Sequence, residues 1–218
     1  DHRDLHLSIR RQRQMCIRDR YGDKGNMTKE EIDKTMAIFT EAKKDGQFRA
    51  FWKTFDESVN LMASGEVVIQ SMWSPAITKV RSMGIPCVYQ PLKEGYRSWG
   101  GGLGLAKNLS GLELEAAYEY INWYLSGWVG GLLMRQGYYS AAPETSKLFM
   151  SDDEWGFFYE GKPAKNDIVD PFGNLYEKAG TIRDGGSFLE RMGKVVCWNS
   201  VMDENRYMVR KWNEMIAS

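Results

Sequence analysis

The sequence predicts an α/β fold in which short apolar strands alternate with amphipathic helices. Three observations support this prediction. Thr28 is followed by Glu31, which is the capping box that opens a helix. Residues 66–73 (EVVIQSMW) and 193–200 (GKVVCWNS) are short, rich in β-branched residues and followed by polar or turn residues, as strands are. Because strands and helices alternate along the chain, we expect largely parallel sheets.

The helices are predicted from periodic apolar residues and from their end signals. In the first, Ile32, Met36 and Phe39 keep helical spacing. Pro75 suits the first turn of a helix, and Gly127 ends another. In chain order, the predicted helices are residues 27–44, 51–64, 74–83, 110–126, 128–136 and 203–218.

The strands are predicted from short runs of β-branched and aromatic residues. In chain order, they are residues 66–73, 85–92, 103–106 and 193–200. Prolines at positions 143, 163 and 171 interrupt the stretch between the last two helices, which we expect to be irregular.

Composition excludes some classes of protein. The chain has 218 residues, 43% of them hydrophobic, and its formal charge is zero. This is ordinary for a globular protein of one or two domains. No run of about 18 apolar residues is present, so no membrane-spanning helix is predicted. Eight Trp and eleven Tyr are many, and such rings suit a core or a stacking site.

Residues 1–20 differ in composition from the rest of the chain. They hold six Arg, both histidines and one of the three cysteines. A nucleic-acid-binding arm and a transit peptide are two interpretations of such a segment. Back-translation of residues 1–6 and 10–19 instead resembles the adapters used in sequencing libraries. We therefore interpret residues 1–20 as an adapter-derived artefact and exclude them from fold reasoning.

The remaining chain lacks the usual residues of a catalytic site. Without histidine, neither a Ser-His-Asp nor a Cys-His arrangement can form. We interpret the glycines of residues 100–104 as a turn, because their spacing is not that of a dinucleotide-binding loop. Cys87 and Cys197 are isolated, and either a disulfide or two buried thiols is possible. We predict no enzyme activity, no cofactor, no metal site and no nucleic-acid partner.

Several aromatic residues lie beside predicted strand or helix ends. Trp73 follows a strand, Trp99 lies in a turn before one, Tyr138 follows a helix and Trp198 closes the last strand. Ligands of open α/β sheets bind outside the carboxyl ends of the strands. Aromatic faces there can stack on a ring or surround a cation. These residues therefore indicate a ligand site, with core packing as the alternative for each.

Four segments carry a family resemblance that spans nearly all of residues 21–218. They are residues 55–84 (FDESVNLMASGEVVIQSMWSPAITKVRSMG), 96–126 (YRSWGGGLGLAKNLSGLELEAAYEYINWYLS), 136–144 (QGYYSAAPE) and 195–217 (VVCWNSVMDENRYMVRKWNEMIA). Together they resemble the bacterial extracellular solute-binding proteins of ABC transporters, family 1, of the spermidine/putrescine-binding type.

The resemblance implies a two-lobed fold of the periplasmic-binding type II class, with a ligand held in the cleft. It also implies that this chain is a C-terminal fragment with most of the first lobe missing. Residues 21–98 would then form the first part of the second lobe. Residues 99–145 would return to the first lobe, and residues 146–218 would complete the second lobe.

The family's binding positions can be carried over to this sequence. They imply ligand-binding roles for Trp73, Trp99, Tyr138, Trp198 and Asn199. The resemblance also implies capture of an amine-type solute such as the polyamines putrescine and spermidine, an ABC permease as partner, a monomer, and a periplasmic or lipid-anchored extracellular location. Gly101 stands where polyamine-binding members have an acidic residue, so the resemblance supports solute binding more firmly than it supports a polyamine, and a less charged amine is an alternative. The alternatives are a sugar, an opine-like compound, a metal chelate, or an enzyme that uses the same fold.

Overall fold

The computed structural model describes Asp23 and residues 25–218. The predicted adapter segment, residues 1–20, lies outside the described residues. The helices are α1 (Lys29–Lys44), α2 (Phe55–Ala63), α3 (Ser74–Ser82), α4 (Gly111–Leu125), α5 (Trp128–Arg135), α6 (Pro143–Lys147), α7 (Asp152–Trp155), α8 (Phe188–Gly193) and α9 (Asn205–Ala217), with a π-helical turn at Gly156–Glu160. The strands are β1 (Tyr96–Ser98), β2 (Ile168–Val169), β3 (Leu175–Glu177) and β4 (Val195–Trp198).

The chain divides into two compact units. Unit 1 comprises the described residues up to Phe51, together with Leu92–Gly100 and Lys194–Ser218. Unit 2 comprises Trp52–Pro91 and Gly101–Gly193. The assignment of residues 21–98, 99–145 and 146–218 to lobes stays a prediction.

All six predicted helices are confirmed, with shifts of a few residues at their ends. Capping explains why two of the early ones begin where they do. The Thr28 hydroxyl accepts a hydrogen bond from the Glu31 N–H at 3.3 Å, and the Glu31 carboxylate accepts one from the Thr28 N–H at 2.8 Å. Thr54 and Glu57 form the same reciprocal pair at the start of α2. Each capping pair gives an acceptor to two backbone N–H groups that a helix start would otherwise leave without a hydrogen bond.

Of the four predicted strands, only the one at residues 193–200 is confirmed, as β4. The predictions at residues 66–73, 85–92 and 103–106 are wrong, because these segments are irregular. Several of their apolar side chains are exposed: Val68 is 77% and Val88 is 67% exposed. A β-branched run becomes a strand only when a neighbouring strand and a packed face stabilise it. None of these three segments pairs with another strand among the described residues.

The described strands form two small ladders. β1 pairs with β4 in parallel, as the alternation of elements predicts. β2 and β3 form an antiparallel hairpin in the stretch predicted to be irregular. The Asp170 carboxylate closes this hairpin by accepting hydrogen bonds from the Phe172 and Asn174 N–H groups at 2.8 Å. The fold is therefore helix-rich and mixed α/β, rather than an extended parallel sheet.

Each unit has its own core. In unit 1, α1 packs against α9, and Ile32 and Met215 are buried between helices. Lys43 donates hydrogen bonds to the carbonyl oxygens of Met215 and Ile216 at 3.1 and 2.7 Å. The lysine thereby satisfies carbonyls at the C-terminus of α9, where a positive charge is favourable.

The core of unit 2 is aromatic. It gathers α5, the π-helical turn and the β2–β3 hairpin around seven buried residues: Met134, Trp155, Phe157, Phe158, Ala164, Ile168 and Tyr176. A smaller cluster of Val59, Ala76 and Val80 holds α2 against α3.

Thr28→Ala is expected to lower the free energy of unfolding by about 1 kcal/mol, because the N-cap bond of α1 is lost. Ser110→Ala is a matched control, since Ser110 is the N-cap of α4 but its side chain makes no capping bond. Urea unfolding followed by circular dichroism measures both. Equal effects of the two changes would contradict a capping role for Thr28.

Candidate solute-binding site

Three of the five predicted site residues lie together in unit 1. β1 ends at Ser98 and β4 ends at Trp198, and these two residues are opposite each other in the parallel ladder. Trp99 and Asn199 follow directly. The Asn199 N–H donates a hydrogen bond to the Ser98 carbonyl at 2.7 Å, which extends the ladder by one residue. Trp99, Trp198 and Asn199 thus gather at the carboxyl ends of two paired parallel strands, the edge at which α/β sheets bind ligands.

The close approach of β1 and β4 depends on a glycine. Gly95 precedes β1 with a φ of +92°, a conformation that side chains disfavour. A Cβ atom at this position would lie 2.5 Å from the Lys194 carbonyl oxygen. A side chain at position 95 would clash with the backbone of residue 194, so glycine allows the two strands to start side by side.

Both tryptophans of this group are exposed. Trp99 is 49% and Trp198 is 55% exposed. Packing in the core, the alternative role of each ring, therefore covers only part of the surface of either ring. Exposed rings at a strand edge leave aromatic area available to a ligand.

Trp73 lies in unit 2, at the N-cap position of α3. Its ring packs on two other aromatics: Trp52 at 5.4 Å between centroids, edge to face, and Phe55 at 6.2 Å, nearly parallel. The Trp52 indole N–H donates to the Ser71 carbonyl at 2.9 Å, which anchors the segment before Trp73. Trp73 is half-buried, so its position is fixed while part of its ring stays accessible.

Tyr138 lies in the same unit, in the loop after α5. Gly137 before it has a φ of +93°, and a Cβ atom there would lie 2.9 Å from the Tyr176 hydroxyl and 3.7 Å from Pro75 Cα. This loop therefore lies against the first turn of α3, two residues after Trp73. The structure thus places the five predicted residues in two groups, Trp73 with Tyr138 in unit 2 and the other three in unit 1.

Sequence reasoning missed a cluster of two buried arginines and two half-buried tyrosines in unit 2. We name Tyr89, Tyr139, Arg183 and Arg191 the arginine cluster. Arg183 is 6% exposed and donates hydrogen bonds to the Phe158 and Gly137 carbonyls at 2.6 and 2.7 Å. The second bond holds the loop that carries Tyr138. Burial lowers the pKa of Arg183 below its usual range. No motif marks either arginine, because a lone arginine in a polar stretch is ordinarily a surface residue.

A second arginine network lies nearby in unit 2. The Arg81 guanidinium pairs with Glu177 and with Asp184, and it also donates to the Cys87 carbonyl at 2.8 and 3.0 Å. Burial raises the pKa of the Cys87 thiol. Cys87 and Cys197 are both free, so the disulfide alternative is wrong. Among the described residues, no group of three His, Cys, Asp or Glu side chains could hold a metal ion.

Across the part of the chain that the structure describes, no helix combines the length and the apolar character needed to cross a membrane.

Comparison with known proteins identifies the family. Residues 15–144, more than half of the chain, match the family described as bacterial extracellular solute-binding protein. Trp73, Trp99 and Tyr138 lie within the matched residues, and Trp198 and Asn199 lie beyond them. No curated protein and no solved structure matched the chain. The chain belongs to the bacterial extracellular solute-binding protein family.

Proposed function

We propose that the chain is the component of an ABC importer that captures a small amine-containing solute and delivers it to the permease. Family membership supports the solute-binding role and a permease partner. The observation that carries the proposal further is the group of Trp99, Trp198 and Asn199 at the carboxyl ends of β1 and β4. Exposed indole rings with a neighbouring amide suit a small cation that also needs a hydrogen bond.

The proposed capture step is closure of two lobes about a hinge. A solute that contacts both lobes binds the closed form more tightly than the open form, and so shifts the population toward the closed form. The permease would then distinguish the closed, loaded protein from the open one. In this proposal, the chain releases its solute unchanged, because the residues after position 20 include no histidine to move a proton near neutral pH.

The glycine at position 101, in place of an acidic residue, favours a solute with less positive charge than a polyamine. Gly101 lies two residues after Trp99, where a polyamine-binding protein would have a carboxylate. A multiply charged cation buried without paired carboxylates is strongly disfavoured. Aromatic faces compensate for a single ammonium group more readily than for two or three.

Trp99→Ala is expected to weaken binding of the solute about 5- to 30-fold, which corresponds to the loss of about 1–2 kcal/mol of cation–π energy. Trp123→Ala is the matched control, since Trp123 lies on α4 and has the same exposed fraction of 49%. Tryptophan fluorescence and calorimetric titration with putrescine, spermidine and a panel of monoamines measure the affinities.

An unchanged affinity of Trp99→Ala would remove this residue from the site. No response to any amine, together with binding of a sugar, would overturn the amine assignment. Chemical conversion of the solute by the protein would overturn the transport role and favour an enzyme on the same fold.

A further inference from the structure

Two guanidinium groups lie buried in unit 2 without a carboxylate partner. Arg183 and Arg191 are 6% and 8% exposed. Neither forms an ion pair with any carboxylate of the described residues. Asp184, next to Arg183 in sequence, pairs with Arg81 instead and also accepts the Tyr89 N–H at 2.9 Å, and Glu190, next to Arg191, accepts the Ser187 N–H at 2.7 Å. Buried charge without a counter-charge is costly, and such a charge ordinarily has a partner.

The two arginines share one tyrosine ring. The Arg183 and Arg191 Cζ atoms lie 4.7 and 5.6 Å from the Tyr139 ring centroid. Arg191 also lies 4.9 Å from the Tyr89 ring. These rings offset part of the cost of burying the positive charge, but a ring face is not an anion. The two rings therefore do not neutralise either guanidinium group.

Hydrogen-bond donors also remain unused at this place. The Arg191 guanidinium makes a single hydrogen bond among the described residues, a long one of 3.3 Å to the Asp184 carbonyl. A guanidinium has five N–H donors, so most of those of Arg191 have no acceptor. The Tyr139 hydroxyl is buried and has no hydrogen-bond partner. Buried polar groups are rarely left unpaired, and one explanation is a ligand that completes them.

We propose that Arg191 and the Tyr139 hydroxyl form an anion-binding subsite that holds a carboxylate group of the solute. A guanidinium fork matches the two oxygens of a carboxylate, and the tyrosine hydroxyl can donate to one of them. Arg183 is committed to backbone carbonyls and adds positive potential. This inference rests on the proposed function and narrows its solute to an amino acid or another compound with both an amine and a carboxylate.

Two features of the chain support this inference. Tyr139 directly follows Tyr138, and Arg183 fixes the Gly137 carbonyl before it. In addition, Gly101 replaces the acid expected for a polyamine. One fewer acid near Trp99 and an additional cation near Tyr138 both favour a solute with less positive charge.

The test compares solutes that differ only by a carboxylate. Calorimetric titration of the full chain uses two pairs, ornithine with putrescine and 4-aminobutyrate with butylamine. We expect the carboxylate-bearing member of at least one pair to bind about tenfold or more tightly than its partner. Arg191→Gln should abolish this preference, whereas Arg206→Gln, which removes an exposed arginine of α9, should leave it unchanged.

Tyr139→Phe keeps the test decisive if Arg191→Gln does not fold. This variant removes only a hydroxyl that is buried without a partner, so its melting temperature should equal or exceed that of the unmodified protein. We expect this variant to bind the carboxylate-bearing solutes about 3- to 10-fold more weakly and to bind the amines with unchanged affinity.

The outcomes separate the two proposals. Equal affinities within both pairs, or a carboxylate preference that survives Arg191→Gln and Tyr139→Phe, would overturn the subsite and leave the amine-binding function intact. If none of the four solutes binds, the subsite is overturned, and the wider amine panel decides the proposed function.

Discussion

Phe158→Ala is expected to lower the free energy of unfolding of unit 2 by about 3–5 kcal/mol, the largest effect of any single change considered for this chain. The Phe158 side chain is fully buried. Its ring packs edge to face on Phe157 and Tyr176, at centroid distances of 5.1 and 5.2 Å. The Arg183 guanidinium lies 5.4 Å from the same ring. Truncation therefore leaves a cavity and also removes one of the rings that stabilise a buried charge.

Phe172→Ala is the matched control for this prediction. Phe172 is 82% exposed, so its truncation should change stability by less than about 0.5 kcal/mol. Urea unfolding followed by near-ultraviolet circular dichroism reports on the aromatic core of unit 2. A loss below about 1 kcal/mol for Phe158→Ala would mean that this core is not packed as described.

The second large effect is expected at Arg81. Arg81→Gln should lower the free energy of unfolding by about 2–4 kcal/mol, since it leaves the Glu177 and Asp184 carboxylates without their cation. These side chains are 13% and 24% exposed, so solvent screens them only in part. Burial alone would lower the pKa of Arg81, but the attraction of the two carboxylates outweighs burial and raises it. The folded state thus favours the charged form of Arg81.

A surface pair provides the control for Arg81. Arg210 and Glu214 lie one helical turn apart on α9, at 64% and 55% exposure. Arg210→Gln should cost less than about 0.5 kcal/mol, because exposed ion pairs contribute little. Chemical denaturation of both variants measures the difference. A double variant, Arg81→Gln with Glu177→Gln, should recover part of the loss, and a strictly additive loss would contradict direct pairing.

The helices could be predicted from the sequence because their signals are local. Thr28 with Glu31 sets the start of α1, Pro75 lies in the first turn of α3, and Gly127 marks the end of α4. Each signal acts within one turn of the helix that it delimits. The strands depend on partners far along the chain. Residues 66–73 have the composition of a strand, yet they have no neighbour to pair with among the described residues.

The residues of the candidate site likewise divide into those that the sequence can predict and those that only the folded structure shows. The sequence predicts that Trp198 closes a strand, but it puts Trp99 in a turn before a strand at residues 103–106 that does not form, so the place of Trp99 at the end of β1, opposite β4, comes only from the fold. Arg191 could not be predicted, since its importance comes from Tyr139, which lies far from it along the chain and meets it only in the folded unit. Burial of a charged side chain is a property of tertiary packing, and no periodic pattern reports it.

Unit 1 is formed by three segments that lie far apart along the chain, and this has a consequence for its synthesis. Asn26 and Asp203 hydrogen-bond across 177 residues of chain, and Tyr207 donates to Asp33 over a similar separation. At about 5–20 residues per second, a ribosome needs about 10–35 s to synthesise that interval. During this time α1 lacks α9, the helix that covers it, and β1 has no β4 beside it. The nascent protein therefore cannot assemble the Trp99 and Trp198 edge until β4 and α9 have been synthesised, and a chaperone that shields α1 meanwhile should increase the yield of folded protein.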